Sequence, residues 1–295
     1  MDNVIDKIQE INERDFSNLN GRSIISLSKV VEFVSEKFDK EKTAKTCEEK
    51  GKKDPNYKYA GMTAEEIIVS WEEKADESKM YGSLLDEYTE QFFSGNSSAV
   101  EVWKLDHNWE YDSRLRNTCM GFEEFYKDIS VYGFEYVGRE ITVYGECVPE
   151  QPDDMPFDSE VHGEVTPDVV VGRIDCLFRN KNNGKFLIVD WKTTDEIKTS
   201  SYGHKKLKGP AYQYDDCDIS KYIIQVQTYK NDLVKTYKLA NPDEIAVCIC
   251  NLRRTPDMHT GKRYQLYKEN VAFNSATLDK IVNFAIKKRS LMSKV

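Results

Sequence analysis

Two carboxylates and one lysine have a spacing from which a reactive centre could be built. Asp190 and Lys192 stand two positions apart at the end of the almost wholly apolar stretch Phe186–Lys192. Side chains two positions apart on a strand leave the same face of a sheet. The residues Arg179–Gly184, rich in Asn and ending in Gly, favour a hairpin turn that brings Asp175 close to Asp190. The spacing therefore predicts that Asp175, Asp190 and Lys192 converge.

These three side chains would suit metal-assisted phosphate chemistry. Carboxylate oxygens are preferred ligands of Mg²⁺ and Mn²⁺, and such an ion polarises a phosphate and lowers the pKa of bound water. The amine of Lys192 can orient the attacking water or neutralise charge that develops on the phosphate. Buried charges are costly unless they are paired or hold a metal, which favours this interpretation. The alternative is that both acids lie at strand ends and Lys192 is solvated, and the spacing alone leaves both interpretations open.

The elements that must position these residues belong to an α/β arrangement. Alternating or continuous apolar stretches predict a sheet, and helices are predicted at about 219–237 and at 276–292. The acidic, proline-bearing residues 149–167 predict a loop. The predicted strands are 134–148, 169–178, 186–192, 245–250 and 264–267.

The N-terminal part of the chain is predicted to be mainly helical. Apolar residues recur at helical spacing within 21–40, and Thr63–Glu66 fits a capping box at the start of another helix. The lysine-rich residues 41–60 predict an exposed connector. Because the pattern changes near residue 131, we expect a helical part over 1–130 and a sheet-containing core over 131–295.

Composition and charge exclude some classes of protein and leave nucleic acid open as a partner. The chain has 295 residues and a net charge of −9, yet residues 251–295 carry 10 basic and 3 acidic side chains. A local basic surface can follow phosphates even when the whole chain is acidic. No apolar run approaches the roughly 18 residues of a membrane span, and the acidic N-terminus lacks the pattern of a secretory signal. We therefore expect a soluble intracellular protein, in cytoplasm or nucleus, that does not bind a membrane.

The cysteines predict neither a disulfide framework nor a zinc site. There are seven of them, at irregular spacing, which is typical of reduced thiols inside the cell. The close pair Cys248 and Cys250 lies in an apolar alternating stretch, so we interpret both as strand residues. Zinc ligands are usually spaced two to four residues apart.

Four segments of the chain resemble motifs of one enzyme superfamily, and they follow one another in the order that the superfamily shows. Gly172–Asp175 followed by Val189–Thr193 resembles motifs II and III of the PD-(D/E)XK nucleases, in their RecB-like exonuclease branch. Gln225–Tyr229 is similar to the Q-x-x-x-Y motif of that branch, with Gln and Tyr four positions apart on one helical face. Glu140 stands where the family carries an acidic residue on the strand before motif II.

The segment Gly82–Glu90 resembles motif I, with one departure. Asp86 stands where the family commonly has a metal-ligating histidine, and this difference bears on the metal preference and on the activity. The resemblance covers roughly residues 60–290 and is nearest to phage, large-DNA-virus and mitochondrial-type exonucleases. Some RecB-like relatives hold an iron–sulfur cluster, but only Cys248 and Cys250 lie C-terminal to the core, so no iron–sulfur cluster is expected.

The resemblance implies a restriction-endonuclease-like fold, with a mixed central sheet flanked by helices, and hydrolysis of DNA with Mg²⁺ or Mn²⁺. It favours an exonuclease over an endonuclease, acting on single-stranded DNA or duplex ends in replication, repair or recombination. The implied metal ligands are Asp175, Asp190, Asp86 and the carbonyl of Trp191. The implied catalytic residues are Asp175, Asp190, Lys192, Gln225, Tyr229 and Glu140. Lys192 would position or activate the water, and Gln225 and Tyr229 would position the substrate and support the lysine. Glu140 would assist metal or water binding.

Two other functions remain open at this stage. Pro167 and Asp168 form a literal Pro-Asp pair, as in viral cap-cleaving RNA endonucleases, although Asp168 precedes Asp190 by too many positions for a short hairpin. An RNA endonuclease on the same scaffold is therefore one alternative. The other is an inactive nuclease fold that only binds nucleic acid or a partner, which Asp86 and the acidic N-terminal half would suit. Protein partners, oligomeric state, cleavage polarity and strandedness are not readable from the sequence.

Overall fold

A six-stranded mixed sheet with helices on both faces forms the centre of the residues that our computed structural model describes, namely 24–147, 168–268 and 273–292. The mixed α/β architecture with a helical N-terminal part is therefore confirmed. The strands are β1 Ile24–Ser26, β2 Phe134–Cys147, β3 Asp168–Asn180, β4 Phe186–Lys192, β5 Ile245–Leu252 and β6 Tyr264–Lys268. The helices are α1 Leu27–Val34, α2 Lys40–Lys53, α3 Ala64–Phe93, α4 Ser97–Asp106, α5 Ser113–Val131, α6 Asp218–Lys235 and α7 Ser275–Met292.

The long strand β3 organises the sheet and leaves a gap beside the candidate site. β2 pairs antiparallel with β3 over its whole length. On the other edge, β1 pairs parallel with Val169–Val171 and β4 pairs antiparallel with Cys176–Arg179. β1 and β4 therefore pair with the same edge of β3, and Gly172–Asp175 of β3 lie in the gap between them. β4 continues the sheet by parallel pairing with β5, and β6 is antiparallel to β5.

Alternation along β4 divides its side chains between two cores. Phe186 and Ile188 join apolar residues of α1, α6 and α7. Val189 and Trp191 join an aromatic-rich core that includes α3 and α5. Because side chains alternate along a strand, Asp190 and Lys192 continue the first series and face α6.

The N-terminal part differs from the sequence prediction in two places. The predicted connector over 41–60 is wrong, because 40–53 form helix α2, which packs against the start of α3 through Ala44 and Ile67. The helical spacing within 21–40 belongs to a shorter helix, α1, preceded by the strand β1; Ser26 caps this helix by accepting from the Lys29 N–H. The capping box at the start of α3 is confirmed.

The expected boundary near residue 130 falls between α5 and β2, while β1 and α1 contribute buried residues to the core around α6. The predicted loop over 149–167 lies outside the described residues. Cys248 and Cys250 are buried in β5, as predicted for strand residues, and the six cysteines whose side chains the structure describes form no disulfide. In the described part of the chain, every helix is too short or too polar to cross a membrane.

Candidate active site

Strand register places three acidic residues in one row across the sheet. The pairs Arg139↔Cys176 and Ile141↔Ile174 bracket Glu140 on β2 and Asp175 on β3. The last pair between β3 and β4 is Cys176↔Val189, so the next residues in register are Asp175 and Asp190. Three neighbouring strands therefore each contribute one carboxylate at the same level of the sheet.

Asp190 and Lys192 form a buried ion pair. The Lys192 Nζ lies 2.5 Å from Asp190 Oδ2, and Asp190 is only 1% exposed. Among the described residues, no hydrogen-bond donor other than this ammonium contacts the Asp190 oxygens. Burial disfavours the charged lysine, but Asp190 and Asp175 outweigh that effect and raise the pKa of Lys192. The lysine is therefore held as a cation.

Asp175 joins this pair and opens onto a cleft. Its Oδ2 accepts a hydrogen bond of 2.7 Å from the main-chain N–H of Trp191. Burial raises the pKa of Asp175 well above its usual range, and the charge of Asp190 raises it further, against the effect of Lys192. Asp175 also lines a cleft of about 400 Å³ in the gap between β1 and β4. The three residues predicted to converge therefore lie together.

Helix α6 covers the same site with three residues on one face. Gln225 and Tyr229 line the cleft with Asp175, and the Gln225 Nε2 donates a hydrogen bond of 2.6 Å to the Tyr229 phenol oxygen. Burial, together with the charge of Asp190, raises the pKa of Tyr229. One turn earlier, the ring centroid of Tyr222 lies 4.6 Å from the Lys192 Nζ, within the distance of a cation–π contact.

The close approach of α6 to β3 depends on a glycine in the segment that resembles motif II. A Cβ at Gly172 would lie 2.3 Å from Cε1 of Tyr229, well inside any normal contact. Gly172 thus gives Tyr229 the room to lie over the sheet next to Asp175. Its role is one of space rather than of backbone freedom.

Glu140 is held at the edge of the row by an ion pair and an unusual backbone. Its carboxylate lies 2.6 Å from the Arg173 Nε. Its φ is 52°, a left-handed conformation that is uncommon for residues other than glycine and costs on the order of 1–3 kcal/mol. Burial, and then the charge of Asp86, raise the pKa of Glu140. The structure therefore brings Glu140 to the site but gives it an arginine partner.

Asp86 approaches the row from α3. Burial raises the pKa of its carboxyl, against the attraction of Arg139 and Arg173, and its charge in turn raises the pKa of Asp175. Arg139 also donates a hydrogen bond of 3.0 Å to the Asp86 carbonyl, which ties α3 to β2. Asp86 thus lies within electrostatic reach of the site.

Trp191 contributes its main chain to the site and its ring to the opposite core. The N–H contacts Asp175, as described above, and the indole packs edge-on against Phe122 and Phe125 at centroid distances of 5.5 and 5.2 Å. These contacts anchor β4 at Trp191, which lies between Asp190 and Lys192. The aromatic core thereby fixes the position of Asp190 and Lys192.

Sequence reasoning missed two residues beside the lysine. Tyr222 is one, and it precedes Gln225 and Tyr229 by three and seven positions, a helical spacing that could have indicated it. The other is Asn251, which pairs in register with Lys192 from the neighbouring strand β5. Asn251 is 2% exposed, and its Oδ1 accepts no hydrogen bond from any described residue. Only the parallel pairing of β4 with β5, which is not local in sequence, reveals it.

Asp168, the acid of the literal Pro-Asp pair, begins β3 opposite Cys147. It stands seven positions before Asp175, about 23 Å along an extended strand. The structure therefore does not bring Asp168 to the row of carboxylates.

The donor set fits a divalent cation that also binds substrate. Among the described residues, no group of three or more His, Cys, Asp or Glu side chains is arranged to hold an ion. Asp175 and Asp190 nevertheless supply two carboxylates, and the buried oxygens of Asp190 have no partner but one ammonium. Mg²⁺ typically binds one or two carboxylates and completes its shell with waters and substrate phosphates.

Comparisons with known proteins leave the family open. No protein-family model and no curated protein matches the chain. A solved structure described as "Crystal structure of SSO0001" is 11% identical, with a TM-score of 0.35, and the match covers 97% of this chain and 85% of that chain. A likeness this weak carries no argument about function, so the functional case rests on the site itself.

The substitution Gly172→Ala tests the packing of α6 on β3. We expect it to destabilise the protein by about 1–3 kcal/mol in urea unfolding, because the new methyl group forces Tyr229 out of place. The matched control is Gly82→Ala in α3, where the nearest atom to an added Cβ is the Thr193 Oγ1 at 4.0 Å. There we expect stabilisation by about 0.5–1 kcal/mol, as for glycine within a helix. Equal effects of the two substitutions would contradict this packing role.

Proposed function

We propose that this protein is a divalent-metal-dependent nuclease that hydrolyses phosphodiester bonds in DNA, of the PD-(D/E)XK superfamily and its RecB-like branch. The observation that carries the proposal is the grouping of the buried Asp190 with the half-buried Asp175 and Lys192 on adjacent strands, next to a cleft. The order of the motif-like segments along the chain supports the same family. An exonuclease is favoured over an endonuclease by the resemblance to the RecB-like branch alone.

Asp175 and Asp190 would hold Mg²⁺ or Mn²⁺, and the bound ion would supply charge neutralisation at a phosphate and an acidified water. Their surroundings suit this role, because burial and the charge of Asp190 disfavour the ionised form of Asp175, and a bound cation would offset both effects. The Trp191 N–H fixes the orientation of Asp175 by bonding one of its oxygens. Glu140 and Asp86 add negative charge at the rim of the same site.

Lys192 would act as a cation and hydrogen-bond donor rather than as a base. Because Asp190 and Asp175 raise its pKa, it keeps its proton at neutral pH. A protonated amine can hold the oxygen of a water for attack and stabilise negative charge that develops on the phosphate. The proton of the attacking water must then leave to an acceptor other than Lys192.

Gln225 and Tyr229 would position the substrate from the helix side of the cleft. The Tyr229 oxygen accepts from Gln225, which leaves the phenol O–H as a donor. A donor beside two carboxylates can bond to them or to a phosphate oxygen that replaces water in the cleft. Tyr222 would restrain the Lys192 ammonium by covering it with a ring face.

The substitution Lys192→Ala tests the proposed chemistry directly. With end-labelled single- and double-stranded DNA and Mg²⁺ or Mn²⁺, we expect cutting to fall at least about 100-fold, as for loss of one transition-state donor. The matched control is Lys185→Ala, an exposed lysine before β4, which should cut at the wild-type rate. Circular dichroism would verify the fold of both variants.

Equal cutting by Lys192→Ala and wild type would remove this mechanism. A wild-type protein that binds DNA but leaves it intact with both ions would instead favour a nuclease fold that only binds nucleic acid. A labelled RNA strand cut faster than DNA would favour the RNA endonuclease alternative.

Metal binding can be measured without any activity. We expect saturating Mn²⁺ to raise the Tm of the wild type, with about 2.7 kcal/mol of stabilisation at 100 times Kd. The rise should be larger at pH 8 than at pH 5, because the elevated pKa of Asp175 keeps a competing proton on the site at low pH. Asp175→Asn should lose most of the Mn²⁺-induced rise, whereas the exposed Asp243→Asn should keep it. A rise that is the same in both variants would place the ion elsewhere.

Tyr222 offers a test of how the lysine is held. Tyr222→Phe keeps the ring over Lys192 and should retain nearly wild-type kcat, whereas Tyr222→Leu should lower kcat roughly tenfold by removing the cation–π contact. Identical kcat values for the two variants would show that the ring has no such role.

A further inference from the structure

A second cluster, of exposed and half-buried lysine and tyrosine side chains, lies away from the row of carboxylates. It combines the end of α2, the segment that follows it, and the turn Tyr202–His204 after β4. We call it the tyrosine–lysine surface, and its members are Lys50, Tyr57, Lys58, Tyr59 and Tyr202. The combination of Tyr202 with residues 50–59 was not predicted, because residues 41–60 were expected to form a connector.

Lysines and tyrosine rings alternate across this surface. The Lys50 Nζ lies 5.5 Å from the ring centroid of Tyr202 and 3.2 Å from its hydroxyl. The Lys58 Nζ lies 5.1 Å from the ring centroid of Tyr59, and Tyr59 meets Tyr57 edge-on at 5.9 Å. Tyr202 is 82% exposed, so one face of its ring is open to solvent. An exposed ring of this kind contributes little to the core.

The rings are held in place from below. A Cβ at Gly51 would lie 2.8 Å from the Tyr59 carbonyl oxygen, so the segment after α2 packs directly on the helix backbone. The Trp71 Nε1 donates a hydrogen bond of 2.7 Å to the Tyr59 hydroxyl, and the Tyr57 hydroxyl donates to the Cys47 Sγ at 3.4 Å. A rigid surface loses less entropy when a ligand binds to it.

The lysines of the surface carry uncompensated charge. In the described part of the chain, no carboxylate lies within ion-pair distance of Lys50, Lys53 or Lys58, whereas Lys52 pairs with Glu48 at 2.6 Å. Positive charge beside open aromatic faces is the combination that binds single-stranded nucleic acid, since phosphates meet the lysines and unpaired bases stack on the rings. A duplex hides its base faces and cannot use the rings.

We propose that the tyrosine–lysine surface binds single-stranded nucleic acid, with a base stacked on Tyr202 and phosphates at Lys50 and Lys58. The proposal extends the proposed nuclease function by naming a single strand as the substrate class. Helix α3 runs from the tyrosine–lysine surface, which Trp71 contacts, to the row of carboxylates, which Asp86 approaches. These two residues are separated by about 22 Å along the helix axis. A strand held at this surface would therefore extend several nucleotides from the row of carboxylates.

Binding of a fluorescein-labelled 20-nucleotide oligo-dT, measured by anisotropy in EDTA, tests the ring. We expect Tyr202→Leu to raise Kd about five- to tenfold, as for loss of one base–aromatic stack. Tyr111→Leu is the matched control, since Tyr111 is 88% exposed on the N-terminal helical part, and its Kd should equal that of the wild type. A duplex of the same length should bind both variants alike. Equal Kd values of Tyr202→Leu and Tyr111→Leu for oligo-dT, or the same loss for the duplex, would overturn the proposal.

The salt dependence of the same binding tests the lysines. Lys50→Gln with Lys58→Gln should reduce the slope of log K against log salt by about 1.4, or about 0.7 for each phosphate that a lysine no longer neutralises. Lys79→Gln with Lys185→Gln, two exposed lysines elsewhere, should leave the slope unchanged. An unchanged slope in the first pair would overturn the assignment of phosphates to Lys50 and Lys58.

These measurements separate the two proposals. If Tyr202→Leu weakens oligo-dT binding but the wild type cuts no DNA, the binding surface stands and the nuclease function does not. If the wild type cuts DNA and Tyr202→Leu binds normally, the reverse holds.

Discussion

The buried ion pair between Asp190 and Lys192 is the interaction on which the rest of the site depends. Two charges on an otherwise apolar strand must be compensated, and each compensates the other. Asp175 brings a further carboxylate to the pair, and burial together with the charge of Asp190 disfavours its ionised form. A divalent cation beside the cleft would offset both effects. The site therefore has two carboxyl groups and one ammonium.

Specific packing on both faces of the sheet holds these charged residues in place. Trp191 is held between aromatic rings on one face of β4, which leaves the two charged residues no freedom to turn away from α6. On the other face, Gly172 makes room for Tyr229, so α6 lies close to the acids. The shared edge of β3, taken by β1 at one end and β4 at the other, then opens the cleft at Asp175. Asp175 is therefore half-buried and also lines the cleft.

Local patterns predicted much of this arrangement. The hairpin between β3 and β4 and the helix α6 follow from turn chemistry and periodicity, so the convergence of Asp175 with Asp190 was foreseeable. Asn251 was not, because it reaches Lys192 only through parallel pairing of strands that are distant in sequence. Helix α2 was missed for a different reason. Its lysines indicate a solvated segment, whereas its packing against α3 and the contact of Gly51 with Tyr59, which local sequence does not reveal, help to stabilise it as a helix.

Asp86 differs in charge from the histidine of the motif that Gly82–Glu90 resembles. A histidine at this position would be a neutral ligand, whereas Asp86 adds a carboxylate to a row that already includes Glu140 and Asp175. The chain balances part of this addition with Arg139, which bonds the Asp86 carbonyl, and with Arg173, which pairs with Glu140. The raised pKa values of Asp86 and Glu140 show that the two arginines do not fully offset the burial of these acids. Under the proposed function, Asp86 therefore favours a hard, oxygen-preferring ion over one that prefers nitrogen ligands.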